Sequence, residues 1–187
     1  MKLVVDPPTR DEFAPYYAGY IDRVPAGAEI LELLANQAAE TQAKFASVAE
    51  SRGVHRYAPG KWNVKELIVH LSDTERIMAY RALRIGRGDQ TPLPGFDQDT
   101  YVPHSGADAQ PLAALVTEFA QVRAATVALL RHLPPEAWTR RGTASDAPFS
   151  VRALAWIIAG HERHHLSTLA ERYGLWITPN ADRSEMR

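Results

Sequence analysis

Apolar residues recur at three- and four-residue steps in four long stretches of this chain, the pattern of helices that bury one face. The first stretch runs from about Ala28 to Arg52, with Ile30, Leu31, Leu33, Leu34, Ala38, Phe45 and Val48 on its apolar side, and ends before Gly53. The second follows Pro59-Gly60-Lys61-Trp62. There Asn63 stands as an N-cap with Glu66 three residues on, and the face formed by Val64, Leu67, Ile68, Leu71, Met78 and Ile85 continues to Gly86. Leu112 to Leu133 supplies the third, between Pro111 and the Pro134-Pro135 stop, and Ser150 caps the fourth, which runs to Tyr173 before Gly174. Four helices of this length with few strand-like alternations between them predict an all-α four-helix bundle.

The connections are unequal. Arg87 to Gln110, between the second and third helices, carries Pro92, Pro94, Pro103 and several glycines and is too long for a tight antiparallel turn. It reads as a crossover, as a lid over a site, or as a packed connection with no further role. Residues 1–26 precede the first helix as an N-terminal arm, and Phe13, Tyr16, Tyr17, Tyr20 and Ile21 give it enough apolar surface to pack on the bundle, as an arm or a short extra helix. Neither an internal repeat nor a low-complexity segment interrupts residues 1–187, which read as one domain.

Composition narrows the partners. A formal charge of −1 and a pI near 6.7 provide no basic field for nucleic acid or an acidic membrane. Met1-Lys2-Leu3-Val4-Val5 runs straight into Asp6-Pro7-Pro8, unlike a secretory leader, and no run approaches the roughly eighteen apolar residues of a membrane span, so a cytosolic protein is expected. Without cysteine the chain has no disulfide framework, no zinc-thiolate site and no thiol nucleophile of its own. Any sulfur chemistry needs a thiol brought by a substrate.

The candidate chemistry lies in Gly160-His161-Glu162-Arg163-His164-His165-Leu166, inside the fourth helix. At about 100° and 1.5 Å per residue, His161 and His165 sit about 40° apart in azimuth and one turn apart in height, so both imidazoles can face one atom. Val151, Leu154, Ile157, Ile158 and Leu169 define the buried stripe of that helix; His161 and His165 straddle its middle and His164 falls toward its edge, as a rim residue. Two buried imidazoles leave polar nitrogens that need partners, either backbone and carboxylate groups or a shared cation. On the second helix His70 borders the apolar face and completes a three-histidine set, which leaves a metal position open to water or substrate, as catalytic zinc sites do. Glu75, about 140° round from His70, falls well inside the apolar face. It is assigned either to orienting a ligand imidazole or to an internal salt bridge with an arginine such as Arg81.

The segment Trp62-Asn63-Val64-Lys65-Glu66-Leu67-Ile68-Val69-His70-Leu71-Ser72-Asp73-Thr74-Glu75, the late Gly160-His161-Glu162-Arg163-His164-His165-Leu166, and Pro94-Gly95-Phe96-Asp97-Gln98-Asp99 between them resemble the DinB/YfiT-like superfamily of metal-binding four-helix proteins. The likeness extends from the first helix to Tyr173. It implies an up-down-down-up bundle with a long crossover, a divalent ion such as nickel or zinc on His70, His161 and His165, and homodimers. It also implies membership of a group that includes thiol-dependent S-transferases, a thiol-dependent isomerase and many members with no assigned reaction that are labelled metal-dependent hydrolases.

Two functional classes follow. In the first the chain is an enzyme whose ion depresses the pKa of water or of a low-molecular-weight thiol cosubstrate and delivers the anion to a small-molecule substrate, with Glu75, Glu162 or His164 relaying protons. The resemblance favours thiol transfer over hydrolysis. In the second it is a non-catalytic, metal-stabilised bundle that binds a small ligand. A coordination position opening onto a pocket points to the enzyme, and a closed ligand set to the binder.

Overall fold

A computed structural model describes residues 5–176. Its helices are α1 (Ala18–Ile21), α2 (Ile30–Phe45), α3 (Val64–Gly86), α4 (Gln98–Tyr101), α5 (Leu112–Arg131) and α6 (Val151–Glu171), and the four long ones, α2, α3, α5 and α6, form the bundle. The capping box expected at the second helix is present: Asn63 Oδ1 accepts from the Glu66 amide at 2.9 Å, and Glu66 Oε2 accepts from the Asn63 amide at 2.7 Å. Ser150 Oγ likewise accepts from the Ala153 amide at 3.0 Å at the start of α6.

The first helix is shorter than its apolar pattern. It stops at Phe45, where the Ser47 hydroxyl donates to the Lys44 carbonyl and Ala49 turns extended, and Glu50–Arg52 forms a separate 3-10 turn. The Glu50 carboxylate serves two other helices, accepting from the Leu112 amide at 2.9 Å and pairing with Lys65 Nζ at 2.6 Å. The third and fourth helices each end two residues before the positions expected, at Arg131 and Glu171.

Pairings between helices set their directions. The first turns of α3 and α5 both meet at Glu50, and their middles meet at Glu75 and Arg123, so the two run parallel. Arg123, in the second half of α5, also donates to the Leu34 carbonyl near the start of α2, while Glu50, just past the end of α2, meets the first residue of α5, so α2 is antiparallel to α5. Gln37 and Thr41 meet Ala159 and Glu162, so α2 and α6 run parallel, whereas His70 meets His161 and Gly86 meets Val151, so α3 and α6 are antiparallel. The topology is up-down-down-up.

Parallel consecutive helices require the chain to return the whole length of α3, about 35 Å at 1.5 Å per residue. That is why the crossover is long. It is folded along its path, with α4 capped by Asp97 and with 3-10 turns at Val102–His104 and Ala107–Ala109. A β-hairpin that the sequence pattern does not predict holds it: β1 (Arg141–Ala144) and β2 (Ala147–Ser150) pair antiparallel. Ser145 and Asp146, at φ of 49° and 58°, make the turn between them. Leu93 of the crossover donates its amide to the Thr143 carbonyl and accepts from the Ser145 amide.

The N-terminal arm packs on the bundle, its α1 against α6; residues 1–4 lie outside the described part. Glu12, 2% exposed, pairs with Arg152, and the α1 backbone crosses α6 at Gly160. With α2, α3 and the arm around it, α6 is buried nearly all round from Val151 to Glu162.

The apolar core falls into two clusters. Phe45, Leu71, Phe119 and Leu169 belong to one, and Leu34, Met78, Val127 and Ala159 to the other. Between them each helix places polar residues at the same level: Gln37 and Thr41, Glu75, Arg123, and His161 with Glu162. A polar belt crosses the middle of the bundle.

Candidate metal centre

The belt contains the three histidines. His70 Nε2 and His161 Nε2 are 3.0 Å apart, as are His161 Nε2 and His165 Nε2, and the ligand atoms of all three lie within 4.8 Å of one another. This is the only group of three or more potential ligating side chains among the described residues. His161 and His165 converge because one helical turn separates them, and His70 arrives from the antiparallel α3.

The donor set fits a divalent ion. Bonds of about 2.0–2.1 Å at tetrahedral or right angles place donor nitrogens about 2.9–3.3 Å apart, which includes the two 3.0 Å separations from His161. Burial holds His70 neutral, lowering it to about 4. His161 and His165 are pushed well below the usual range by burial first and by the neighbouring histidines second. Neutral imidazoles with lone pairs turned inward are the form a cation takes up. The outer nitrogens then carry the protons: His70 Nδ1 faces Thr74 Oγ1 at 3.4 Å, and His165 Nδ1 is buried with no hydrogen-bond partner among the described residues.

His165 also lines a cavity of about 670 Å³, large enough for a small-molecule ligand. Trp62, Tyr57 and Tyr173 give it aromatic walls, Lys61 and Arg56 bring cationic groups, and Asp99, Val102 and Pro103 of the crossover close one side. The Trp62 ring also packs on His70, centroids 4.7 Å apart. Arg56 is committed to Glu66, and Tyr173, whose hydroxyl is raised to about 12 by burial first, donates to the Trp62 carbonyl.

Among the remaining sequence candidates, His164 is half-buried on the cavity wall beneath Tyr20, whose ring centroid lies 5.3 Å from it and 5.3 Å from that of His161. Glu75 and Glu162 line a different space and are tied to one arginine. Arg123, fully buried, donates to Glu75 through Nε at 2.7 Å and Nη2 at 2.9 Å, and its Nη1 lies 2.8 Å from Glu162 Oε2 as an ion pair off the hydrogen-bond direction. Thr41 Oγ1 donates to the other Glu162 oxygen. Burial opposes the charge on Arg123, but Glu162 and Glu75 hold it protonated; burial pushes Glu162 up.

The salt bridge expected for Glu75 therefore exists, but its partner is Arg123 and not Arg81. Arg81 points to the crossover and the hairpin turn that holds it, donating to the Pro94 carbonyl at 3.0 Å and to Ser145 Oγ at 2.8 Å. Glu75 faces α5 across the bundle, and a helix–helix pairing leaves no mark in local sequence. One signal was available: Arg123 lies four residues from both Phe119 and Val127, on the buried stripe of its own helix. Trp62 and Tyr20 also touch the histidine rings, and sequence does not mark them as site residues because both reach the site from outside the bundle helices that carry the histidines.

The fold has solved relatives. YfiT from Bacillus subtilis, described as a probable metal-dependent hydrolase with an unusual four-helix bundle topology, superposes with a TM-score of 0.69 at 16% identity over 81% of this chain and 93% of its own. A mycothiol-dependent maleylpyruvate isomerase superposes with a TM-score of 0.65 at 17% identity over 84% of this chain and 64% of its own, so the likeness spans less than two thirds of that protein. At these identities the likeness is one of fold. No curated protein matches the sequence. Residues 34–169, from α2 to the last turns of α6 and including all three histidines, match the DinB superfamily, and the chain belongs to that superfamily.

Proposed function

We propose that this chain is a metal-dependent enzyme that activates a low-molecular-weight thiol, or water, for transfer to a small-molecule substrate. One observation carries the proposal: three imidazole nitrogens converge in the core, and one of the three rings, His165, also forms part of the wall of a 670 Å³ cavity. A closed structural site would have a fourth protein ligand and no such opening. Here the nearest buried carboxylates, Glu75 and Glu162, are held by Arg123.

A divalent ion on His70, His161 and His165, nickel or zinc by the resemblance, would supply Lewis acidity that lowers the pKa of a thiol or water. The protein supplies the rest. The aromatic walls exclude water and bind the substrate's apolar part, Lys61 offers a charge to an anionic group, and the crossover limits the size of what enters. Of the three residues considered for proton relay, only His164 lines this cavity, and burial first, with Arg23 second, keeps it below the usual histidine range and hence a base near neutral pH.

Thiol transfer is preferred to hydrolysis because the family resemblance includes thiol-dependent enzymes and because one fold relative is a mycothiol-dependent isomerase. A free thiol of pKa about 8.5 is only a few per cent ionised at neutral pH, so bringing it below 7 raises the thiolate fraction more than about tenfold. A homodimer and cytosolic residence belong to the same proposal.

The test is conjugation of a model electrophile by zinc- or nickel-loaded protein with mycothiol, bacillithiol, glutathione and cysteine in turn, each beside His161→Ala. The expected result is metal-dependent conjugation with at least one thiol, lost in the variant. Equal rates in the two proteins for every thiol, with metal-dependent ester or amide cleavage, would replace the transferase by a hydrolase.

A further inference from the structure

The inward-facing Nε2 atoms leave three Nδ1–H groups that need acceptors, since a metal-binding imidazole is normally held by a hydrogen bond from its other nitrogen. His70 has Thr74. His165 Nδ1 is buried with no hydrogen-bond partner among the described residues, and His161, almost fully buried, meets its two neighbours through Nε2. Behind it lies a second, much smaller cavity, which leaves about 10 Å³ for the centre of a water molecule, room for one and no more. The polar side chains around it are Thr74, Glu75, Arg123, His161 and Glu162; the others are apolar.

We infer that the Glu75–Arg123–Glu162 cluster positions His161 through one water held in this cavity, which accepts the His161 Nδ1 proton and donates to a carboxylate of the cluster. The inference rests on the metal reading above. Geometry supports it in three ways. The cavity touches the ligand imidazole and both acids at once. Arg123 fixes the two carboxylates, bidentate to Glu75 and paired with Glu162, so the acceptors cannot swing away. Glu162 Oε2, which meets Arg123 only as an ion pair, is buried with no hydrogen-bond partner among the described residues and is an acceptor open to such a water. Glu75 and Glu162 are then positioning residues: they act on the ion through His161 and do not reach the 670 Å³ cavity.

The experiment is metal binding by stripped wild type, Glu75→Gln and Glu162→Gln, using cobalt absorption for the ligand field and chelator competition for zinc affinity. The expected result is zinc affinity lower by about 10- to 100-fold in the variants, with a shifted cobalt spectrum. Affinities within twofold of wild type and an unchanged spectrum, even with a lower melting temperature, would make the cluster a structural clamp and overturn the inference. Should a variant fail to fold, zinc-loaded wild type decides by histidine-selective 15N NMR. A protected His161 Nδ1–H with magnetisation transfer from a bound water supports the inference, and a freely exchanging proton overturns it. Failure of wild type to bind cobalt or zinc at all would be visible before any variant is compared, and would refute the metal reading itself.

Discussion

Three imidazoles in a bundle core stay neutral at pH values where a free histidine takes up a proton. Burial puts His70 at about 4, and His161 and His165 are also well below the ordinary value near 6.5. The unfolded chain therefore binds protons, between about pH 6.5 and 4, that the folded chain refuses, so stability is full above that window and falls as pH drops through it. From His70 alone the loss between pH 7.5 and 5.0 is about 2 kcal/mol for the metal-free protein. Urea unfolding of stripped protein at the two pH values checks this, and equal stabilities would mean that the imidazoles are solvated. The residues themselves were legible: helical phase picks His161 and His165 over His164, and the apolar border of the second helix supplies His70. What phase could not show is which arginine crosses from another helix to meet Glu75.

At the scale of elements, α6 shows how one glycine admits a neighbour. A Cβ on Gly160 would stand 1.9 Å from the Tyr20 carbonyl oxygen, so the backbone of α1 can lie on α6 only where a side chain is missing. Gly160→Ala sets two effects against each other. Helix propensity favours alanine by about 1 kcal/mol. The clash is with backbone, not a flexible side chain, and forcing extra volume into a packed contact costs about 1–3 kcal/mol. The contact wins, and the variant should melt several degrees lower while retaining its metal ligands. A higher melting temperature by calorimetry would show that the arm is not seated there. Elements with strong local signals, the capping box at Asn63 and the Ser150 cap, appear where sequence puts them. The hairpin does not: its strands are four residues each and its turn is Ser145-Asp146 rather than a glycine-containing pair, so neither alternation nor turn chemistry marks it. The first helix ends short of its apolar pattern, because Val48 continues the period past the break at Ser47.

For the whole molecule, topology and chemistry are linked. Parallel α3 and α5 demand a long crossover, and that crossover becomes a wall of the cavity beside His165. The antiparallel pairing of α3 with α6 brings His70 to the His161–His165 turn, and the polar belt divides an otherwise apolar core at that level. The bundle class was legible from four apolar periodicities. Helix order and direction were implied by the family resemblance rather than by the periodicities, because a stripe shows which face is buried and not what covers it. Whether the three histidines hold one ion is read from calorimetric titration of stripped wild type, His164→Ala and His165→Ala with zinc at pH 7.5. One ion per chain in wild type and His164→Ala, with binding abolished in His165→Ala, is the result predicted. No binding in wild type, or binding lost in His164→Ala and kept in His165→Ala, would contradict it.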